Sequence, residues 1–131
     1  MAIALIFAGS LSTVWYLNGG VAQSGPQIKS VLIVASISGF NDSADHGVPA
    51  SPWPVIQVSK GTMVNITVYN DDKQAHGFQV AHYFDSGIET IAPGQTIHVS
   101  FVANETGTFQ IYCSIFCTVH WAMQSGELVV S

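Results

Sequence analysis

Cys113, Cys117, His120 and Met123 fall within eleven residues, in the run Cys-Ser-Ile-Phe-Cys-Thr-Val-His-Trp-Ala-Met. Two thiolates, an imidazole and a thioether are all soft or borderline donors. Thiolates hold Cu(I), and imidazole serves both copper oxidation states. A structural zinc site would call for four Cys or His ligands in tetrahedral array, and the Met in this run favours copper over zinc. A further ligand should come from elsewhere in the chain. His76 is the candidate, because it opens the apolar run His76-Gly77-Phe78-Gln79-Val80 just after a polar turn, so that it sits at a strand end. Gly77 beside it would let another stretch of backbone pass close by.

Plainer readings of the same residues stand beside this one. Cys113 and Cys117 could form a structural disulfide, although the small loop so closed would constrain the unfolded chain little. They could also be a redox-active pair of the thiol–disulfide or copper-delivery kind. His76 could be a capping or core histidine, and Met123 a core residue. His46, His82 and His98 have no ligand partners nearby in sequence and read as surface or loop histidines. Phe116 and Trp121 flank the ligand run, either as packing or as an apolar surface where a redox partner docks. Phe40, Trp53 and Phe78 are further candidates for the same rim.

The elements that must position these residues read as all-β. Strands are expected over Ser30–Ile37, Val55–Val58, Met63–Asn70, His76–Tyr83, Thr96–Val102, Thr108–Cys113 and Glu127–Val130. Alternation is clearest in Val64, Ile66 and Val68 and in Ile97, Val99 and Phe101. Turns are marked by Ser59-Lys60-Gly61, Asn70-Asp71-Asp72-Lys73, Pro93-Gly94 and Asn104-Glu105-Thr106-Gly107, and Phe40 to Pro54 reads as a long loop. Some seven short strands with turn signals at this spacing predict a Greek-key β-sandwich with the ligand run on a loop at one end.

Composition narrows the function. The chain has 131 residues, 48% of them hydrophobic and only 8% charged, with a net charge of −5. It contains three lysines and no arginine, which excludes a basic nucleic-acid-binding surface. The first 28 residues carry no charged side chain. Residues 1–22 read as a retained transmembrane helix or a cleaved signal peptide, because a helix of that length rises roughly 30 Å. Residues 23–29 read as a linker and residues 30–131 as the copper domain. Either N-terminal reading places that domain on the extracytoplasmic face, and the sequons at Asn41, Asn65 and Asn104 are compatible with it.

From about Ser30 to Val130 the sequence resembles the soluble domain of subunit II of haem–copper (cytochrome c) oxidases, a cupredoxin domain with a binuclear CuA centre. The matching features are Val31-Leu32-Ile33 leading to Gly39-Phe40, Val58-x-Lys60-Gly61, and His76-Gly77-Phe78-x-Val80. Further along they are Pro93-Gly94, Gly107-x-Phe109-x-Ile111-x-Cys113-x3-Cys117, and Gly126-x-Leu128-Val129-Val130. The resemblance implies two coppers bridged by Cys113 and Cys117, with His76, His120, Met123 and the backbone carbonyl of Ile115 completing the shell. It also implies a role outside catalysis proper: accepting electrons from a soluble carrier, a cytochrome c or small cupredoxin, and passing them to the oxidase's catalytic subunit. In one place the chain departs from the family. Cys117-x2-His120-x2-Met123 is one residue shorter before the His, which matches the spacing of amicyanin-type mononuclear blue copper proteins. A stand-alone carrier of one copper is therefore the alternative.

Overall fold

The computed structural model describes residues 26–40, 52–87 and 89–131. The proposed anchor or signal at 1–22, the first three residues of the linker, His46 and the greater part of the Phe40–Pro54 loop lie outside the described residues. Among the described residues no helix is long and apolar enough to cross a membrane.

Ten β-strands and one turn of 3-10 helix make up the described part. They are β1 (Ile28–Ser36), β2 (Gly39–Phe40), β3 (Val55–Val58), β4 (Thr62–Asn70), β5 (His76–Gly77), β6 (Gln79–Val80), β7 (Thr90–Ile91), β8 (Thr96–Ala103), β9 (Gly107–Tyr112) and β10 (Gly126–Val130), with the 3-10 turn at His120–Met123. One sheet has the order β2-β1-β4-β8 and the other β3-β10-β9-β6, and β5 pairs with β7. Strands β1 and β4 run parallel, as do β3 and β10; the remaining pairs are antiparallel.

The core lies between the two sheets, as alternation requires of strands buried on one face. From one side come Ile33, Val64, Ile66, Val68 and Val99; from the other come Ile56, Val80, Ile111, Leu128 and Val130, all buried. Turns fall where the sequence places them. Gly61 at φ +94° and Gly94 at φ +78° occupy the left-handed region that favours glycine.

The expected single strand His76–Tyr83 is two. His76 and Gly77 pair with Ile91 and Thr90, whereas Gln79 and Val80 pair with Tyr112 and Ile111 in the second sheet. Between them Phe78 is fully buried and meets Phe40 edge-on, ring centroids 5.9 Å apart. The chain changes partners there because its aromatic ring is driven inward. Phe40 and Phe78 are thus core residues, not rim residues, and Trp53 is half-buried against the same core. Phe40, moreover, belongs to a short strand rather than opening the loop.

Replacing Phe78 by Ala removes a fully buried ring from the junction of three strands. Chemical denaturation should show a loss of about 3–5 kcal/mol, the range for large aromatic truncations in a core.

Candidate metal centre

Three elements deliver the candidate ligands to one end of the sandwich. Strand β9 ends at Tyr112 and hands Cys113 to the loop that runs to β10. The backbone stays anchored there, since Cys113 N–H donates to Met123 O at 2.9 Å and Gln124 Nε2 donates to Cys113 O at 3.0 Å. Strand β5 brings His76 against the same loop. Gly77 makes this approach possible, because a Cβ on it would overlap the Ser114 hydroxyl and lie 2.7 Å from Ser114 N and 3.0 Å from Ile115 N. The Gly77 N–H donates to Cys113 Sγ at 3.2 Å.

A nitrogen of His76 and the sulfurs of Cys113 and Cys117 all lie within 4.8 Å of one another, and all three residues are buried. The two sulfurs are 3.8 Å apart and both cysteines are free, which answers the disulfide reading, because a disulfide needs a separation of about 2.05 Å. Ile115 O lies 3.2 Å from Cys113 Sγ and accepts or faces His120 Nδ1 at 2.8 Å. His120 opens the 3-10 turn beside the trio, its side chain close enough to Cys113 to help lower that thiol. Met123 ends that turn; its side chain is fully buried in the core cluster and its carbonyl is bonded to Cys113.

His76 is held by a residue that its motif does not contain. Its Nε2 lies 2.8 Å from Asp72 Oδ2, and its buried Nδ1 has no hydrogen-bond partner. A carboxylate on one ring nitrogen fixes the orientation of the other, which is the usual arrangement behind a metal-ligating histidine. Asp72 also accepts from Gln74 Nε2 at 2.9 Å, and Gln74 reaches across to the ligand loop, where it accepts from Thr118 N–H at 2.9 Å. In sequence, Asp72 reads only as a turn residue and Gln74 falls between the turn and the strand that follows. A carboxylate four positions before a histidine was a possible signal for the first; nothing local marked the second.

The electrostatics divide the two thiols. Burial raises the Cys113 thiol, but the His76 side chain, the Gly77 amide, the Ile115 backbone and the His120 side chain outweigh it and bring it down to about 6. Burial and then the charge on Cys113 push Cys117 up to about 12. The pair therefore releases one proton near neutrality and retains the second until a cation displaces it. Burial opposes protonation of His76, yet Cys113 and Asp72 together raise its pKa. Burial likewise opposes ionisation of Asp72, and hydrogen bonds from Gln74, His76 and the Lys73 amide lower its pKa.

An unpartnered buried imidazole nitrogen facing two free sulfurs is a donor set fit for a soft metal ion, copper above all. His82 and His98 stand apart. His82 is exposed and pairs with Glu105 at 3.0 Å, and His98 meets Thr67 Oγ1 at 3.1 Å on an outer sheet face. Phe116 is 88% exposed and Trp121 68%, so neither serves as packing.

Two four-stranded sheets enclosing one core, with a His/Cys/Cys group on the loops at one end, define a cupredoxin-like fold. A multicopper oxidase superposes with a TM-score of 0.66 at 20% identity, over 83% of this chain and 44% of that one. Auracyanin from Roseiflexus castenholzii superposes at 0.58 and 14% identity, over 82% of this chain and 99% of its own. In sequence the chain is similar to nitrous-oxide reductase of Cupriavidus necator, 33% identical over 85 residues. That match takes in 62% of this chain and 13% of the relative's length. No protein-family model matches.

In the metal-free protein, alkylation by a small thiol reagent should rise through an inflection near pH 6, because Cys113 ionises there and Cys117 does not. Cys113→Ser should abolish that phase and Cys117→Ser should leave it. Mass mapping of the alkylated cysteine against pH reads the outcome. Gly77→Ala should weaken copper binding at least about tenfold, since the added methyl forces β5 off the ligand loop; a copper titration against a chelator measures it.

Proposed function

We propose that this chain is a copper electron carrier whose centre is of the CuA type, with Cys113 and Cys117 shared between two ions. The observation that carries the reading is the buried group of His76 and two free sulfurs 3.8 Å apart. Cys113, Cys117 and His76 would hold the metal, with the Ile115 carbonyl, His120 and Met123 at its border. Copper held there supplies one-electron redox chemistry. The protein's own part is geometric. A rigid sandwich fixes the donors, Asp72 holds the His76 ring, and the core beneath Met123 keeps water from one side. Fixed donors reduce the rearrangement that accompanies a change of charge.

In this proposal the chain takes electrons singly from a soluble donor, a cytochrome c or small cupredoxin, and passes them to the catalytic subunit of a haem–copper oxidase. The copper domain would lie on the extracytoplasmic face with residues 1–22 as membrane anchor. The likeness to part of nitrous-oxide reductase, a redox enzyme, supports a role in electron transfer. No nucleophile or acid–base pair is required for such a role.

A second reading has its own observation. His120 lies outside the compact trio, with Nδ1 turned to Ile115 O at 2.8 Å. A single copper held by His76, Cys113 and a third donor would fit that arrangement, giving a stand-alone mononuclear carrier.

Electron paramagnetic resonance of the copper-loaded protein, with copper counted per chain, separates the two. Two coppers and a seven-line hyperfine pattern support the shared centre. One copper and a four-line pattern overturn it in favour of the mononuclear carrier. Cys117→Ser should abolish the visible spectrum of a shared centre and only shift that of a mononuclear one.

A further inference from the structure

Gln74 lies on no strand and offers no metal ligand, yet its side chain touches both halves of the centre. Its carboxamide is fully used. Nε2 donates to Asp72 Oδ2 at 2.9 Å and to Thr118 Oγ1 at 2.6 Å, and Oε1 accepts from Thr118 N–H at 2.9 Å. Asp72 Oδ2 is the same oxygen that lies 2.8 Å from His76 Nε2. Thr118 follows Cys117 directly in the chain. One planar group therefore bonds the carboxylate that holds one ligand and the residue next to another, across 44 residues of sequence.

The middle of the ligand loop has little else to hold it. Cys113 is anchored through Met123 O and Gln124 Nε2. Beyond it, the loop bonds to itself: Ile115 O faces Cys113 and His120, His120 N–H donates to Cys117 O, and Ala122 N–H donates to Val119 O. Among the described residues, both hydrogen bonds that reach 114–119 from outside the loop between β9 and β10 come from Gln74. Gln74 does not depend on them for its own place. Asn70, fully buried, donates through Nδ2 to Gln74 O and to Ile91 O, each at 2.8 Å, and so fixes the turn from the core side. The bond set also dictates the residue. It needs two donated N–H bonds and one accepting oxygen from one neutral group, which only Asn and Gln side chains supply. Asn is a methylene short of the same reach. An ionised Glu would keep the acceptor for Thr118 N–H, lose both donors and set a second carboxylate against Asp72.

We infer that Gln74 is a positioning residue for the copper centre, which sets Cys117 against His76 by holding Thr118 and Asp72 with one side chain. The inference rests on the copper reading above. Ligands already in place when the ion arrives need not be ordered by it, so less of the binding energy is lost. Residues that orient ligands in this way change metal affinity although they never touch the ion. Gln74 is half-buried and Thr118 exposed, so their bonds bear on the loop and not on the core between the sheets.

The test compares the full chain, in mild detergent, with Gln74→Met, which keeps the length of the side chain and removes its polar groups. In the metal-free protein, hydrogen exchange at the Thr118 amide should quicken about fivefold or more, as expected for the loss of one hydrogen bond. Exchange in β4 and β10 and the denaturation midpoint should not move. Copper affinity, titrated with the metal alone against a chelator, should fall about 10–100-fold, and the thiolate-to-copper absorption should shift or broaden. Thr118→Ser keeps both bonds and should match the unaltered chain. Thr118→Val removes only the hydroxyl; it should weaken copper binding by itself and add nothing to Gln74→Met, since the two changes break one contact. A Thr118 amide indifferent to Gln74→Met overturns the inference. So does a loss of copper affinity matched by an equal loss of global stability, which makes Gln74 a folding residue. Unchanged affinity and absorption in Gln74→Met overturn the positioning role and leave the copper centre standing. Failure of the unaltered chain to take up copper overturns the copper reading and, with it, this role.

Discussion

The contact on which the rest depends is the approach of β5 to the loop after β9. At Gly77 two backbones come so close that no side chain fits between them, and the amide there points at Cys113 Sγ. This one crossing sets the His76 imidazole against the sulfurs. It also helps draw the Cys113 thiol down to about 6. Without it the sandwich would still have the core residues of its other strands, such as Ile66, Val99 and Val130. It would have no site.

Charge is distributed around that crossing with economy. One sulfur ionises easily and its negative charge holds the proton on the other. Asp72 sits on the far nitrogen of His76, so that the ring faces the sulfurs with a nitrogen that has nothing else to bond. Gln74 ties the Asp72 turn to Thr118 in the ligand loop, and Asn70 in turn holds the turn itself by bonding Gln74 O and Ile91 O, each at 2.8 Å. The two ligand-bearing segments are thus one hydrogen-bonded unit although they are more than thirty residues apart in sequence. A donor set so constrained suits a metal that must change charge without changing its surroundings.

The apolar surface is divided as well. Phe116 and Trp121 stand exposed on the ligand loop, whereas Ile28, Leu32, Met63, Tyr69 and Val102 stand exposed on the outside of a sheet. The two patches lie on different structural features, a loop and a sheet face.

The sequence by itself determined the class of fold and the chemical character of the site. Alternation in Val64-Asn65-Ile66-Thr67-Val68 and in Thr96–Val102 reads as half-buried strands because burial on one face imposes a period of two. The Cys113, Cys117, His120 and Met123 cluster named a soft metal through ligand type alone. Strand ends and turns at Gly61 and Gly94 were legible because only glycine adopts their φ freely. What only the tertiary structure decided were the relations between segments distant in the chain. The break at Phe78 is one, since an apolar run looks the same whether it stays in one sheet or crosses to another. The roles of Asp72 and Gln74 are another, because a polar turn carries no local mark of what it will face. The position of His120 beside the trio is a third, since spacing counts residues without fixing the direction in which a side chain points. Local pattern records what each segment must bury; only packing settles which polar groups are left to meet.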